Sequence, residues 1–158
     1  MGSTSALIES VLETRFAVPP PLARWGTDGN QWLFSVHRAW FKLDITGEGT
    51  GDLLVLTCPV GAPPSRNEGR FHAILLAKNF HLPGPSLWCR EGLFGLREVR
   101  YIDGLEELEL VDMIELMAEV SSEVAEEMVV FKGDGLQILG QRDERAVQRV
   151  ALSLGFGL

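Results

Sequence analysis

Residues 31–45 read Gln31-Trp-Leu-Phe-Ser-Val-His-Arg-Ala-Trp-Phe-Lys-Leu-Asp-Ile45, an aromatic and β-branched run without proline or glycine. Such residues suit a pleated, half-buried surface, so the run reads as one bent strand or two short ones. If the strand is regular, alternation sends Trp32, Phe34, Val36 and Trp40 to one side and Leu33, Ala39, Phe41 and Leu43 to the other. Both sides are then apolar. Helices cover one face of an antiparallel sheet in a domain of this size, which leaves a second apolar face to be covered by a subunit or a bound peptide. Alternatively, a bend or bulge between His37 and Ala39 turns one set inward and makes the whole run core. The residues leave both readings open.

Working outward, residues 47–52 are turn-rich and residues 52–60 carry Leu53, Leu54, Val55, Leu56 and Cys58, so a third antiparallel strand closes a hairpin. Upstream, Thr4 or Ser5 caps a helix whose stripe is Leu7, Ile8, Val11, Leu12 and Phe16, ended by Pro19-Pro20-Pro21. Downstream, Ser65 with Glu68 has the form of a capping box for a second helix running to about Asn79. In it Phe71, Ile74, Leu75 and Lys78 share one side, Asn79 is the C-terminal cap, and Pro83-Gly84-Pro85 blocks continuation. Residues 87–90 and 93–102 read as a second hairpin joined through Glu91-Gly92. Asp103, with Glu106 three residues on, caps a long helix ending near Gly133, with apolar positions at Leu105, Leu108, Val111, Ile114, Met117, Val120 or Ser121, Val124 and Met128. From Asp103 to Glu127 there is no lysine or arginine among its many carboxylates, so its outer face is strongly negative.

The expected fold is therefore α+β: helix, three antiparallel strands, helix, two strands, long acidic helix. Residues 1–132 form one domain. Residues 133–158 form an extension, a short helix or a partly ordered tail, with apolar Leu136, Ile138, Leu139, Val147, Val150, Leu152 and Leu154.

At 158 residues the chain buries a substantial core without staples. Cys58 and Cys89 lack CxxC partners and read as small buried apolar residues rather than disulfide or zinc ligands. The net charge of −8 repels phosphate backbones and anionic lipid, which argues against nucleic-acid or membrane partners and favours basic ones. No apolar run is long enough to span a bilayer and the start lacks signal-peptide character, so the expected location is the cytoplasm. His37, His72 and His81 have no HExxH or HxH neighbours, no GxSxG elbow is present, and the glycines of residues 47–51 lack the Lys-Ser/Thr of a phosphate loop. No metal site or cofactor is expected; a dimeric structural protein without clients, and a small enzyme built around His37, His72 or His81 with nearby carboxylates, are the alternative readings. The carboxylates of the last helix spread around a solvated face rather than converging on a point.

The order of elements resembles the class I type III secretion chaperones, the CesT-like family of small acidic dimers. Within it, Ile74-Leu75-Leu76-Ala77-Lys78-Asn79-Phe80 is similar to the family's central helix motif, and residues 87–90, 93–102 and the helix from Asp103 match its closing strands and terminal helix. The resemblance covers about residues 5–131. It implies a non-enzymatic cytoplasmic chaperone, a homodimer that holds the N-terminal segment of a secreted effector extended and hands it to the secretion machinery, with the secretion-system ATPase as a further partner. It places Leu75, Leu76, Phe80 and Leu96 near the dimer interface, and Leu7, Val11, Trp32, Phe34, Val36 and Trp40 under the effector. The proline-rich loop before Ser65 and the extension beyond Gly133 depart from the family plan, which leaves one-effector and multi-effector service both open.

Overall fold

The computed structural model describes residues 2–25, 29–46 and 52–139. The sheet grows from the aromatic run. β1 (Gln31–Val36) and β2 (Ala39–Thr46) pair antiparallel, Trp32 opposite Leu43, Phe34 opposite Phe41 and Val36 opposite Ala39. Only His37 and Arg38 join them, at φ of 49° and 67°. Two successive left-handed residues make the primed turn whose twist matches that of the flanking strands. The run is thus two strands, and the two turn residues reset the alternation. Trp40 lands on the face opposite Trp32, Phe34 and Val36, which corrects the grouping expected from a regular strand.

β3 (Leu53–Ala62) pairs with β2 on one side and with β5 (Leu93–Tyr101) on the other, and β5 also pairs with β4 (Ser86–Arg90). The order is β1-β2-β3-β5-β4, antiparallel throughout. Glu91 and Gly92 close the β4–β5 hairpin at φ of 53° and 77°, the same turn chemistry as at His37-Arg38. The turn expected at residues 47–51 lies outside the described residues. A sixth strand, β6 (Gln137–Ile138), pairs with the end of β3, where five strands were expected. Two residues are too short to carry a sequence signal.

Among the described residues four α-helices complete the α+β fold: α1 (Gly2–Phe16), α2 (Pro20–Ala23), α3 (Glu68–Asn79) and α4 (Glu107–Glu127), the last continuing as a 3₁₀ turn through Asp134. The prolines that end α1 also start α2, since proline is pre-set for a first helical turn. α3 begins at Glu68 after Asn67, and Ser65 does not cap it. The Ser65 backbone N–H and hydroxyl both donate to the Asp134 carbonyl instead. Nor does Asn79 cap α3 with its side chain, whose amide takes the N–H and the carbonyl of Leu87 in β4, at 2.6 and 3.2 Å. α4 starts four residues later than Asp103, after Glu106.

The described helices pack on one face of the sheet. Ile8, Val11 and Leu12 of α1, Phe71 and Leu75 of α3, and Leu110, Ile114, Met117 and Val124 of α4 join Trp32, Phe34, Phe41, Leu43, Leu54, Leu56, Phe94 and Leu96 in one core. Phe71 meets Phe94 and Phe131 edge-on, at 5.1 and 5.5 Å between ring centres. Polar ties set the helices against this core. Glu9 of α1 accepts from Arg24 Nε at 2.5 Å and from the indole of Trp32 at 3.4 Å, Arg15 pairs with Glu107, and Arg100 of β5 pairs with Glu109. The boundary expected at residue 132 falls inside this packing, because Leu136 is buried in the core and β6 extends the sheet. Residues 140–158 of the expected extension lie outside the described residues.

Gly95 sits where β5 crosses close to β3. A Cβ there would run into the Cys58 carbonyl and lie 2.7 Å from Pro59 Cα. Both contacts are β3 backbone, which cannot yield as a flexible side chain would, so Gly95→Ala should lower stability by about 2–3 kcal/mol. In urea unfolding the midpoint should fall with little change in slope; a wild-type midpoint would contradict this packing.

Candidate functional site

The pleat gives the sheet a second face, and its composition follows from the registers. Ser35 and Trp40 lie side by side in β1 and β2; Leu33, Lys42, Thr57, Arg97 and Ser86 form the next row; Gln31, Asp44, Val55 and Val99 the one after. Trp88 of β4 stands beside Gly95, which in turn faces Pro59. No described helix lies on this side. Leu33, Val55 and Leu93 are only 8%, 7% and 5% exposed, as buried as many core residues, yet none of them belongs to the core under the helices. They form a second apolar set, flanked by the half-buried Trp40 and Trp88.

A charged pair sits inside this set. Lys42 Nζ lies 3.2 Å from Asp44 Oδ2, both side chains about nine-tenths buried. Burial pushes the Asp44 carboxyl above its ordinary range more than the neighbouring Lys42 pulls it down. Burial is thus the largest influence on the Asp44 carboxyl, ahead of Lys42, the Gln31 side chain and Arg97, all of which favour its charged form. The indole nitrogens of Trp40 and Trp88 and the Ser35 hydroxyl are also shielded, with no hydrogen-bond partner.

The residues expected to meet an effector divide between the two faces. Val11, Trp32, Phe34 and Val36 are in the core under the helices, and Leu7 packs partly buried against it. Only Trp40 is on the second face. The structure thus corrects the expectation that the Trp32 series is left without a cover: α1 and α4 cover it. The dimer set divides as well. Leu75 and Leu96 are core, whereas Leu76 and Phe80, one turn apart on the outer side of α3, are 67% and 89% exposed. Leu33, Val55, Trp88 and Leu93 were missed as surface candidates. Their signal was the Lys42-x-Asp44 interruption of an apolar run, which marks the side of β2 that does not face the core.

The other chemistry-bearing residues are dispersed. His37, His72 and His81 are exposed on separate segments. Cys58 is fully buried and its thiol is pushed up to about 12 by desolvation, while Cys89 is partly buried. The α4 carboxylates Glu115, Glu119, Glu123 and Glu126 border an open groove beside His37, with no lysine or arginine lining it among the described residues. Among the described residues no three His, Cys, Asp or Glu side chains gather as metal ligands, and no helix is long and apolar enough to cross a membrane.

No protein-family model matches this sequence, and a search of curated proteins finds no match.

Glu98, on the helix side of β5 opposite Leu56, has one carboxyl oxygen buried without a partner. Burial, then the charge of Glu109, raises its pKa above the ordinary 4.5. A raised folded-state value means the native protein favours the protonated form. Its contribution to stability is complete below 4.5 and lost as pH rises through the raised value. Glu98→Gln should therefore be more stable than wild type at pH 7, the difference vanishing as pH falls below the ordinary value. Thermal melts from pH 3 to 8 check this, and a variant less stable at pH 7 would contradict it.

Proposed function

We propose that this chain is a non-enzymatic polypeptide-binding chaperone of the type III secretion kind, which keeps the N-terminal segment of a secreted effector extended until export. The observation that carries the reading is the second apolar set on the helix-free face of the sheet: Leu33, Val55 and Leu93 with Trp40 and Trp88 around the Lys42–Asp44 pair. These apolar residues lie outside the core under the helices, on the face of the sheet where a bound polypeptide would pack. The element order supports the same reading, with helix, three strands, helix, two strands and long helix in sequence and α2 and β6 as additions.

The sheet edges favour an extended client. On β4, the Asn79 amide already takes the outward N–H and carbonyl of Leu87 and so closes that edge. On β1, Arg24 bridges Trp32, and among the described residues no further bridge is made toward Val36. A client strand added along Leu33–Val36 would continue the line that Arg24 begins, with its side chains meeting the Trp40 side of the sheet. The exposed side of α3, where Leu76 and Phe80 stand with Ala73 and Ala77, is the surface on which a second copy would pack. Small residues beside large apolar ones allow close helix approach there.

Two measurements test this. Leu76→Asp combined with Phe80→Asp should give a folded monomer in sedimentation velocity where the wild type is a dimer; a dimeric variant would remove α3 from the interface. Trp40→Ala combined with Trp88→Ala should weaken binding of a permanently unfolded polypeptide, reduced carboxymethylated α-lactalbumin, by about 10-fold or more, since two half-buried aromatic anchors contribute over 1 kcal/mol. Unchanged affinity would sink the assignment of this face.

A further inference from the structure

We propose that the connection between α3 and β4, residues 80–86, is a proton-operated flap: it closes over Glu98 when that carboxyl is protonated and opens when it ionises. The flap lies on the helix side of the sheet and stands independently of what binds the second face. Its base is fixed. Asn79 Oδ1 accepts from the Leu87 N–H at 2.6 Å and Asn79 Nδ2 donates to the Leu87 carbonyl at 3.2 Å, so the two ends of the connection are clasped together. Between them run Pro83-Gly84-Pro85, with Pro83 and Gly84 exposed and Pro85 buried. β4 begins only at Ser86, opposite Arg97. Glu98 is the next residue of β5, so the connection rather than a strand covers it. The fit is close: a Cβ on Gly84 would lie 3.0 Å from Glu98 Oε1.

The covered carboxyl is left unsatisfied. Glu98 Oε2 is shut off from water without a hydrogen-bond partner, and Pro83 and Pro85 bring no N–H to it. Across on β3 stands apolar Leu56, and α4 brings Glu109, a like charge. The nearby cation of β5, Arg100, is already committed to Glu109 and to the carbonyls of Tyr101, Asp103 and Gly104, with the Asp103 and Glu106 carboxylates also drawing on it. His81, exposed, is the titratable group of the connection itself. A protonated Glu98 has no charge to desolvate, whereas an ionised one is disfavoured until water reaches it. The exposed loop is the easiest route for that water, because β5 and α4 are anchored in the core through Phe94, Leu96, Leu110 and Ile114. Burial and the Glu109 charge hold the closed-state pKa of Glu98 above 4.5, so opening releases a proton. The open-to-closed ratio therefore rises about tenfold per pH unit from 4.5 to the raised value and levels off beyond it.

The test is NMR of the full-length protein from pH 4 to 8, with a neutral gadolinium chelate as the solvent probe. Paramagnetic relaxation enhancement at the Glu98 γ protons should be low near pH 4 and climb as the Glu98 carboxyl carbon titrates. The Leu87 amide should stay protected from hydrogen exchange over the same range, which marks the motion as local to the flap. In Glu98→Gln the γ protons at position 98 should stay shielded at every pH. Enhancement that does not change while the carboxyl titrates would overturn the proposal, as would a carboxyl that titrates at or below 4.5. A climb that persists in Glu98→Gln would assign the motion to His81 instead, and loss of Leu87 protection would show wider unfolding; either overturns the flap. Should Glu98→Gln not fold, Glu109→Gln decides. It removes the like charge and frees Arg100, so the carboxyl midpoint and the climb in enhancement should both move toward 4.5. An unmoved climb would overturn the proposal.

Discussion

The left-handed pair His37-Arg38 is the constraint on which the sheet depends. A two-residue turn fixes Trp32 opposite Leu43 and Phe34 opposite Phe41, and with them which side of each strand the helices cover. Side chains alternate with period two, so a slip of one residue at this turn would send Trp32 and Phe34 outward and bring Lys42 and Asp44 under α4. The stacked rings of Phe34 and Phe41, 5.5 Å apart, and the indole of Trp32 held at Glu9 hold the pairing in place from the core side. α1 reads the same register, because its Glu9 meets both Arg24 and Trp32.

On the other side of that alternation, the Lys42–Asp44 pair sets the character of the second face. A buried ion pair adds little to stability, because desolvation works against its attraction. Removing one partner would still be costly, because it takes the nearest opposite charge away from a buried group. Such a pair contributes orientation: whatever lies over β2 must leave both charges satisfied, and a slipped or reversed segment would not. The opposite case is the exposed carboxylate face of α4, which keeps the helix side of the molecule wet.

Much of the fold was legible in the sequence because each element carried its own local signal. The α4 stripe, the Glu91-Gly92 turn and the apolar run of β3 are local patterns, and they survive folding. What was not legible depended on phase or on distant partners. Nothing in residues 31–45 taken alone counts how many of them the turn consumes, so Trp40 was grouped with Trp32. Ser65 and Asn79 have the residue types of helix caps, but tertiary partners, the Asp134 carbonyl and the Leu87 backbone, compete for the same hydrogen bonds and win. The candidate site suffered most. Burial under the helices was read as surface at Trp32, Phe34 and Val36, while Leu33 and Val55 drew no notice among so many apolar neighbours.

One face of the sheet is sealed by helices and forms the core; the other mixes polar residues with Leu33, Val55, Trp40 and Trp88 around a buried charge pair, and is the contact surface we propose. The most direct test of that division is a methyl NMR titration of the full-length protein with an unfolded polypeptide. The account predicts shifts at the methyls of Leu33, Val55, Leu93 and Val99, with those of Leu43, Leu56 and Ile114 unmoved. Shifts confined to the α1 and α4 methyls, or none at saturating polypeptide, would contradict it.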